Sequence, residues 1–112
     1  MIDKKSKKFL KAYLGNASPT GHETKGQELW LDYIAPYVAE WHTDVYGTAY
    51  AIINPGKKYR VVIESHADEI SWYVNYISDK GNIHVIRNGG SDQTIAASRR
   101  VNIHTPKGIV RG

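Results

Sequence analysis

His66 and Asp68, two residues apart in Glu64-Ser65-His66-Ala67-Asp68-Glu69, are the residues of this chain whose types and spacing best suit metal chemistry. Neutral imidazole is the commonest nitrogen ligand for zinc and related metals. A ligating imidazole gives its other ring N–H to a carboxylate or a carbonyl, which fixes the tautomer and raises the basicity of the ligating nitrogen. Asp68 stands close enough in sequence to orient His66, either directly or through the backbone geometry of the segment. His-x-Asp is a short pattern that recurs by chance, and on the triplet alone a histidine in a polar turn after a strand is the better reading. One His and one Asp also fall short of the three or four ligands that a tight site needs.

The remaining candidates offer less. His22 falls near a helix start and reads as a turn or solvent-facing residue. His42, His84 and His104 fall on strand-like segments, scattered and without the paired spacing of a second metal site. Glu69 beside the candidate ligand reads as structural. There is no cysteine and no Gly-x-Ser-x-Gly elbow, so no thiol or serine nucleophile is indicated. Gly89-Gly90 lacks the spacing of a phosphate loop.

The elements that must position His66 follow from period and punctuation. Residues 3–14 read as a helix, with Asp3 as its cap and Phe9, Leu10, Tyr13 and Leu14 at helical spacing. Ser18-Pro19-Thr20-Gly21 breaks the chain, and a second helix is expected from about His22 to Ala39, kinked or ended by Pro36. From Trp41 the period becomes two: Trp41, Thr43 and Val45 suggest one strand and Tyr50 to Ile53 the next, with Gly47 between them as a turn or bulge. After the turn at Asn54-Pro55-Gly56-Lys57-Lys58 comes Tyr59 to Ser65. Its Val61-Val62-Ile63 core is β-branched and does not alternate, which predicts a strand covered on both faces with His66 at its carboxyl end. Ligands of open α/β sheets gather beyond such ends. Further on, short strands and tight turns alone are expected: Ile70, Trp72 and Val74, then Ile83 to Arg87, then a hairpin of Val101 to Thr105 with Gly108 to Val110. The pattern therefore changes at about residue 69, where a domain boundary is expected. The apolar pair Ile109-Val110, which ends two residues before Gly112, suggests a chain that has been cut, because it leaves an open strand edge.

Composition bounds the rest. With 112 residues, 41% of them hydrophobic and 23% charged, the chain is long enough for one modest core and is not of disordered type. The net charge of +4 owes much to Lys4, Lys5, Lys7, Lys8 and Lys11, which read as a solvated helix face. No second basic stripe or stacking motif points to nucleic acid. The lysine-rich start is followed by no apolar run of signal-peptide length, and no stretch approaches the ~20 apolar residues of a membrane span. Together with the lack of cysteine, this predicts a cytoplasmic protein without a membrane partner.

His66-Ala67-Asp68-Glu69-Ile70 after a β-branched run resembles the His-Met-Asp-Glu-Ile-Gly signature of the glutamyl and deblocking aminopeptidases, which are dinuclear metallopeptidases. The resemblance runs along nearly the whole chain. Ser18-Pro19-Thr20-Gly21-His22-Glu23 is similar to the family's Ser-Gly-x-Glu turn into a helix, and Asp44-Val45-Tyr46-Gly47 to its Asp-x-x-Gly-Asn hairpin. Arg87-Asn88-Gly89-Gly90 is similar to its Gly-Gly turn, and Arg100-Val101 with Thr105-Pro106-Lys107-Gly108-Ile109 to its Arg-Val and Lys-Gly-x-Ile segment. Thr48 stands where the family has Asn and Ser71 where it has Gly; neither removes a ligand.

The resemblance implies the amino-terminal part of a metallopeptidase α/β catalytic domain in residues 1–69: two helices, then strands. It implies the start of an inserted all-β, barrel-like oligomerisation domain in residues 70–112. It implies His66 as a ligand to one of two divalent ions, zinc or cobalt, and Asp68 as the catalytic-site carboxylate that supports it. The implied activity is removal of amino-terminal residues from peptides by a water activated between two metals, in a homo-oligomer. The family's bridging Asp, its Glu pair, a further acidic ligand and its second His have no counterparts in these 112 residues. The chain alone is thus expected to be inactive, and the alternative is a catalytically incomplete fragment serving as a structural or interaction module. Some members of the family carry an endoglucanase label. That reading ranks third, because no pair of carboxylates at a glycosidase separation can be argued here.

Overall fold

The computed structural model describes residues 2–112, apart from the side chain of Gln93. It divides into two units, Met1–Ile70 and Ser71–Gly112, each taken by itself below.

The first unit begins with helix α1, Lys4–Gly15. Asp3 caps it: its carboxylate accepts the backbone N–H of Ser6 at 2.7 Å and so satisfies one of the unpaired donors of the first turn. Helix α2, Thr24–Ile34, passes into a 3-10 turn, Ala35–Tyr37. Pro36 supplies no N–H to continue the α-helical ladder, so regular hydrogen bonding stops at the residue before Ala35-Pro36. The two helices meet through aromatic rings. Phe9 stacks on Tyr33 with ring centres 4.0 Å apart, and Ser6 Oγ lies 2.7 Å from the Tyr33 hydroxyl. Lys5 is drawn into the same seam, donating to the Tyr37 hydroxyl at 2.9 Å with its ammonium 4.8 Å from that ring's centre. One member of the basic face is therefore occupied with packing. Leu31 on α2 is buried.

Strands β1, Glu40–Thr43, and β2, Ala49–Ile52, form an antiparallel hairpin with Trp41 opposite Ala51 and His42 opposite Tyr50. Val45, expected in the strand, lies in the turn instead. The Asp44 carboxylate accepts the backbone N–H groups of Tyr46 and Thr48 at 2.8 and 2.9 Å, which folds the chain back before residue 45 can pair. Gly47 completes that turn at φ +84°, a conformation that glycine adopts without a Cβ penalty.

The carboxylates of Asp3 and Asp44 are both held below the ordinary value of 3.8, chiefly by the backbone N–H groups of Ser6 and Thr48 respectively. A carboxyl depressed in the folded state adds stability that is full above its unfolded value and is lost as pH falls through the folded one. Helix α1 and the β1–β2 hairpin should therefore weaken as pH drops below 3.8. Asp3→Asn should flatten the helical part of that response in far-ultraviolet circular dichroism; an unchanged acid transition would count against the cap.

The segment Tyr59 to Ser65 departs from expectation. It is not a strand covered on both faces. Val61, Val62 and Ile63 are 75%, 84% and 94% exposed, and among the described residues no strand pairs with it. The residue types remain those of a sheet interior, but β structure is a property of pairing, and a parallel strand takes its hydrogen bonds from elsewhere in the chain. Its end is nevertheless anchored. Glu69 N–H donates to Ser18 O at 2.9 Å, Ser18 N–H donates to the Glu69 carboxylate at 2.8 Å, and Pro19 and Glu69 form an isolated parallel bridge.

Ser18 is buried between this anchor and α2, where a Cβ on Gly26 would come within 2.6 Å of Ser18 Oγ. Glycine at 26 is therefore what lets the helix approach. Gly26→Ala gains up to ~1 kcal/mol of helix propensity. The overpacking costs about 1–3 kcal/mol, because with its backbone held at both groups Ser18 must turn its Oγ away and give up the bond from Asn16 Nδ2. A net loss of about 1 kcal/mol is expected in denaturant titration, with the slope unchanged.

The second unit is all β among its named strands, with one 3-10 turn, Gln93–Ala96. Strands β3, Ser71–Ile77, and β4, Ile83–Asn88, pair antiparallel, with an irregularity between Val74 and Tyr76. Strands β5, Asn102–Thr105, and β6, Gly108–Arg111, form the expected hairpin, with Thr105 opposite Gly108. Among the described residues no helix is long and apolar enough to cross a membrane.

Candidate functional site

His66 follows the exposed segment directly, and its geometry is set by what comes after it. Its Nδ1 lies 2.9 Å from Asp68 Oδ1 and 3.0 Å from the Asp68 backbone oxygen. An ionised carboxylate and a carbonyl are both acceptors only, so Nδ1 must carry the hydrogen. In the neutral ring Nε2 then keeps its lone pair. The His66 side chain is 84% exposed and that of Asp68 33%, so the carboxylate is the better sheltered of the two and the imidazole is open to solvent.

Asp68 is itself held. Its Oδ2 accepts the Thr20 hydroxyl at 2.5 Å. The Thr20 bond first, and the His66 bond second, keep this carboxyl below the ordinary carboxylate value. Asp68 therefore stays an acceptor at neutral pH, as the tautomer argument needs.

His66 and Asp68 line two shallow hollows. One, of about 160 Å³, is bounded by Tyr13, Leu14, Asn16 and Ser18. The other, of about 210 Å³, opens toward Glu23, Gln27, Tyr46 and Thr48. Both lie within the first unit.

The other histidines have local settings of their own. His42 sits 3.5 Å from the Glu40 carboxylate and stacks on Tyr50. His84 packs against Tyr76, and His104 stands opposite Ile109 in the last hairpin. The backbone N–H of His22 donates to Pro19 O at 2.8 Å, which makes it a turn residue. Glu69, expected to be structural, spends its carboxylate on Ser18 N–H. Among the described residues no three His, Cys, Asp or Glu side chains gather as a metal site would require. The donor set thus fits one coordination position, an imidazole backed by a carboxylate at Nδ1, and not a whole site.

Thr20 and Ser18 were not singled out as site residues from sequence. They stand 48 and 51 positions from their partners Asp68 and Glu69. The available signal was the turn Ser18-Pro19-Thr20-Gly21, which carries the right hydroxyls without saying what they would meet.

Residues 47–112 match the family model described as M42 glutamyl aminopeptidase. The chain belongs to that family. An inferred aminopeptidase of Acetivibrio thermocellus is 30% identical over 93 residues, 83% of this chain and 28% of that protein. The crystal structure of a TET aminopeptidase from a marine-sediment Thaumarchaeota archaeon superposes with a TM-score of 0.90 at 28% identity, over 96% of this chain and 30% of that one. A second solved structure, PhTET1-12s, a dodecamer, shares the fold with a TM-score of 0.82 at 24% identity. That alignment covers 98% of this chain and 32% of the other. This M42 chain therefore spans about three tenths of the length of the relatives it matches. The expected fold class, two helices and then strands from the amino-terminal part of an aminopeptidase, is what these superpositions give.

Proposed function

We propose that these 112 residues serve a metal-dependent aminopeptidase that removes amino-terminal residues from peptides. They would supply His66 as a metal ligand through Nε2 and Asp68 as the carboxylate that orients it. The observation that carries this reading is the pair of acceptors facing Nδ1, which leaves Nε2 as the nitrogen able to ligate. Membership of the M42 family supports the peptidase class. Zinc or cobalt suits an imidazole nitrogen, and two such ions would polarise the scissile carbonyl and lower the pKa of an attacking water.

What this chain contributes is binding and orientation. His66 offers an open nitrogen whose direction is set by Asp68, and the second carboxylate oxygen of Asp68 accepts the Thr20 hydroxyl. The other ligands and the carboxylate that shuttles the proton would come from polypeptide outside these residues, as the shares of the relatives suggest. We assign residues 1–69 to the catalytic α/β domain and 70–112 to the start of an inserted β domain used in homo-oligomer assembly. The dodecameric form of PhTET1-12s supports that assignment. A cytoplasmic, cysteine-free setting fits the same reading.

One observation favours a second reading for the chain by itself. The lack of three converging ligands among the described residues suits a fragment with a structural role. The two separate cleanly on amino-acyl anilides. The 112-residue chain should give no turnover with zinc or cobalt, and polypeptide extended to its relatives' length should give chelator-sensitive turnover. Activity from the chain alone would show that the missing ligands were misassigned, and inactivity of the extended form in both metals would leave the structural role.

A further inference from the structure

Three residues form a continuous hydrogen-bonded relay: Thr20 Oγ1 donates to Asp68 Oδ2 at 2.5 Å, and His66 Nδ1 donates to Asp68 Oδ1 at 2.9 Å. A carboxylate can rotate about its last bond and exchange its oxygens, so its contact with a largely exposed imidazole, even with the Asp68 backbone oxygen 3.0 Å from the same nitrogen, does not fix the ring by itself. A second contact on the far oxygen does. We propose that Thr20 is a positioning residue: by holding Oδ2 of Asp68 it keeps Oδ1 on Nδ1 of His66 and so keeps Nε2 bare and aimed outward.

The backbone around Thr20 is fixed without help from its side chain. His22 N–H donates to Pro19 O at 2.8 Å across a turn whose Gly21 has φ +90°, and Gly21 N–H is taken by the Glu23 carboxylate at 2.8 Å. On the other side, Ser18 is bonded to Glu69 through both its N–H and its carbonyl. The strap that carries Thr20 is therefore zipped to the residue next to Asp68. The hydroxyl is delivered to the carboxylate by these main-chain bonds, and removing it should leave the strap in place. Valine matches threonine in shape while lacking the donor, and serine retains the donor without the methyl group.

The inference rests on the reading of His66 as a ligand only for its purpose, since the tautomer can be measured without metal. Two-bond proton–nitrogen correlation spectra of the 15N-labelled 112-residue chain, at a pH where His66 is neutral, report which ring nitrogen is protonated. Wild type should show Nδ1 protonated and Nε2 bare. In Thr20→Val the ratio of the Nδ1–H to the Nε2–H form should fall by about threefold to tenfold, the scale of weakening one charge-assisted bond. Thr20→Ser should restore it, and far-ultraviolet circular dichroism should be the same for all three chains. An unchanged ratio in Thr20→Val would overturn the proposal, as would failure of Thr20→Ser to restore the ratio with its fold intact. The ligand reading has its own test in the metal content of a His66→Ala variant of the extended polypeptide. A shifted tautomer with undiminished metal in that variant would sink the ligand reading and leave Thr20's role standing; the converse pair of results would do the reverse.

Discussion

In the 112-residue chain, the amides of Val61, Val62 and Ile63 should exchange with solvent nearly as fast as in an unstructured peptide. In polypeptide extended to the length of the M42 relatives, the same amides should be protected by more than about a thousandfold, because ~4 kcal/mol of local stability is enough for that factor. The segment is at odds with its own residue types. Three consecutive β-branched residues are 75–94% exposed, although such residues suit the crowded interior of a sheet. Their backbone has no strand partner among the described residues, although both flanks are held, by the β1–β2 hairpin before and by the Ser18–Glu69 bonds after. Pairing with strands from outside the 112 residues would bury the side chains and satisfy the backbone together. Val62→Asp separates the two settings further. In the short chain it replaces one exposed side chain with another and should move the thermal midpoint little. In the extended polypeptide it would place a carboxylate in a sheet interior at a cost on the order of 4 kcal/mol. Equal protection in both forms, or an equal response to Val62→Asp, would mean that the segment is a solvated linker.

The second large effect concerns His66 itself. In the extended polypeptide, His66→Ala should lower kcat/KM more than about 100-fold, since even residues that only orient a ligand cost 10–100-fold in metal affinity or activity. Asp68→Asn should fall inside that lower range. An amide keeps an acceptor toward Nδ1 but replaces the carboxylate that Thr20 and His66 both donate to. Excess zinc should restore much of the activity of Asp68→Asn and little of that of His66→Ala. Rescue of the alanine variant to the wild-type level by added metal would show that the imidazole is dispensable.

Local chemistry was legible in the sequence and long-range pairing was not. Asp3 as a helix cap, Pro36 as the end of α2, and Gly47 as a turn each act within a few residues, and each does so here. Val45 was misplaced because a side chain, the Asp44 carboxylate, captured the backbone that strand pairing would have used. Tyr59 to Ser65 was expected to be a covered strand from its β-branched run and is instead exposed and unpaired among the described residues, because pairing partners are not a local property. At the site, His66 and Asp68 are two residues apart, and their direct contact is one of the two arrangements that the spacing allowed. Thr20 meets Asp68 across 48 residues, through a strap whose docking depends on Gly26 leaving room for Ser18. That contact is a product of packing, and packing had to be seen.

The most direct test is anomalous X-ray scattering at the zinc absorption edge, from crystals of the extended, active polypeptide soaked in zinc. A zinc peak at coordination distance from Nε2 of His66, with Nδ1 still on Asp68, is the predicted result. A full set of zinc peaks with His66 outside coordination range, or bound through Nδ1 with Asp68 turned away, would contradict the assignment of this chain as the bearer of one metal ligand and its orienting carboxylate.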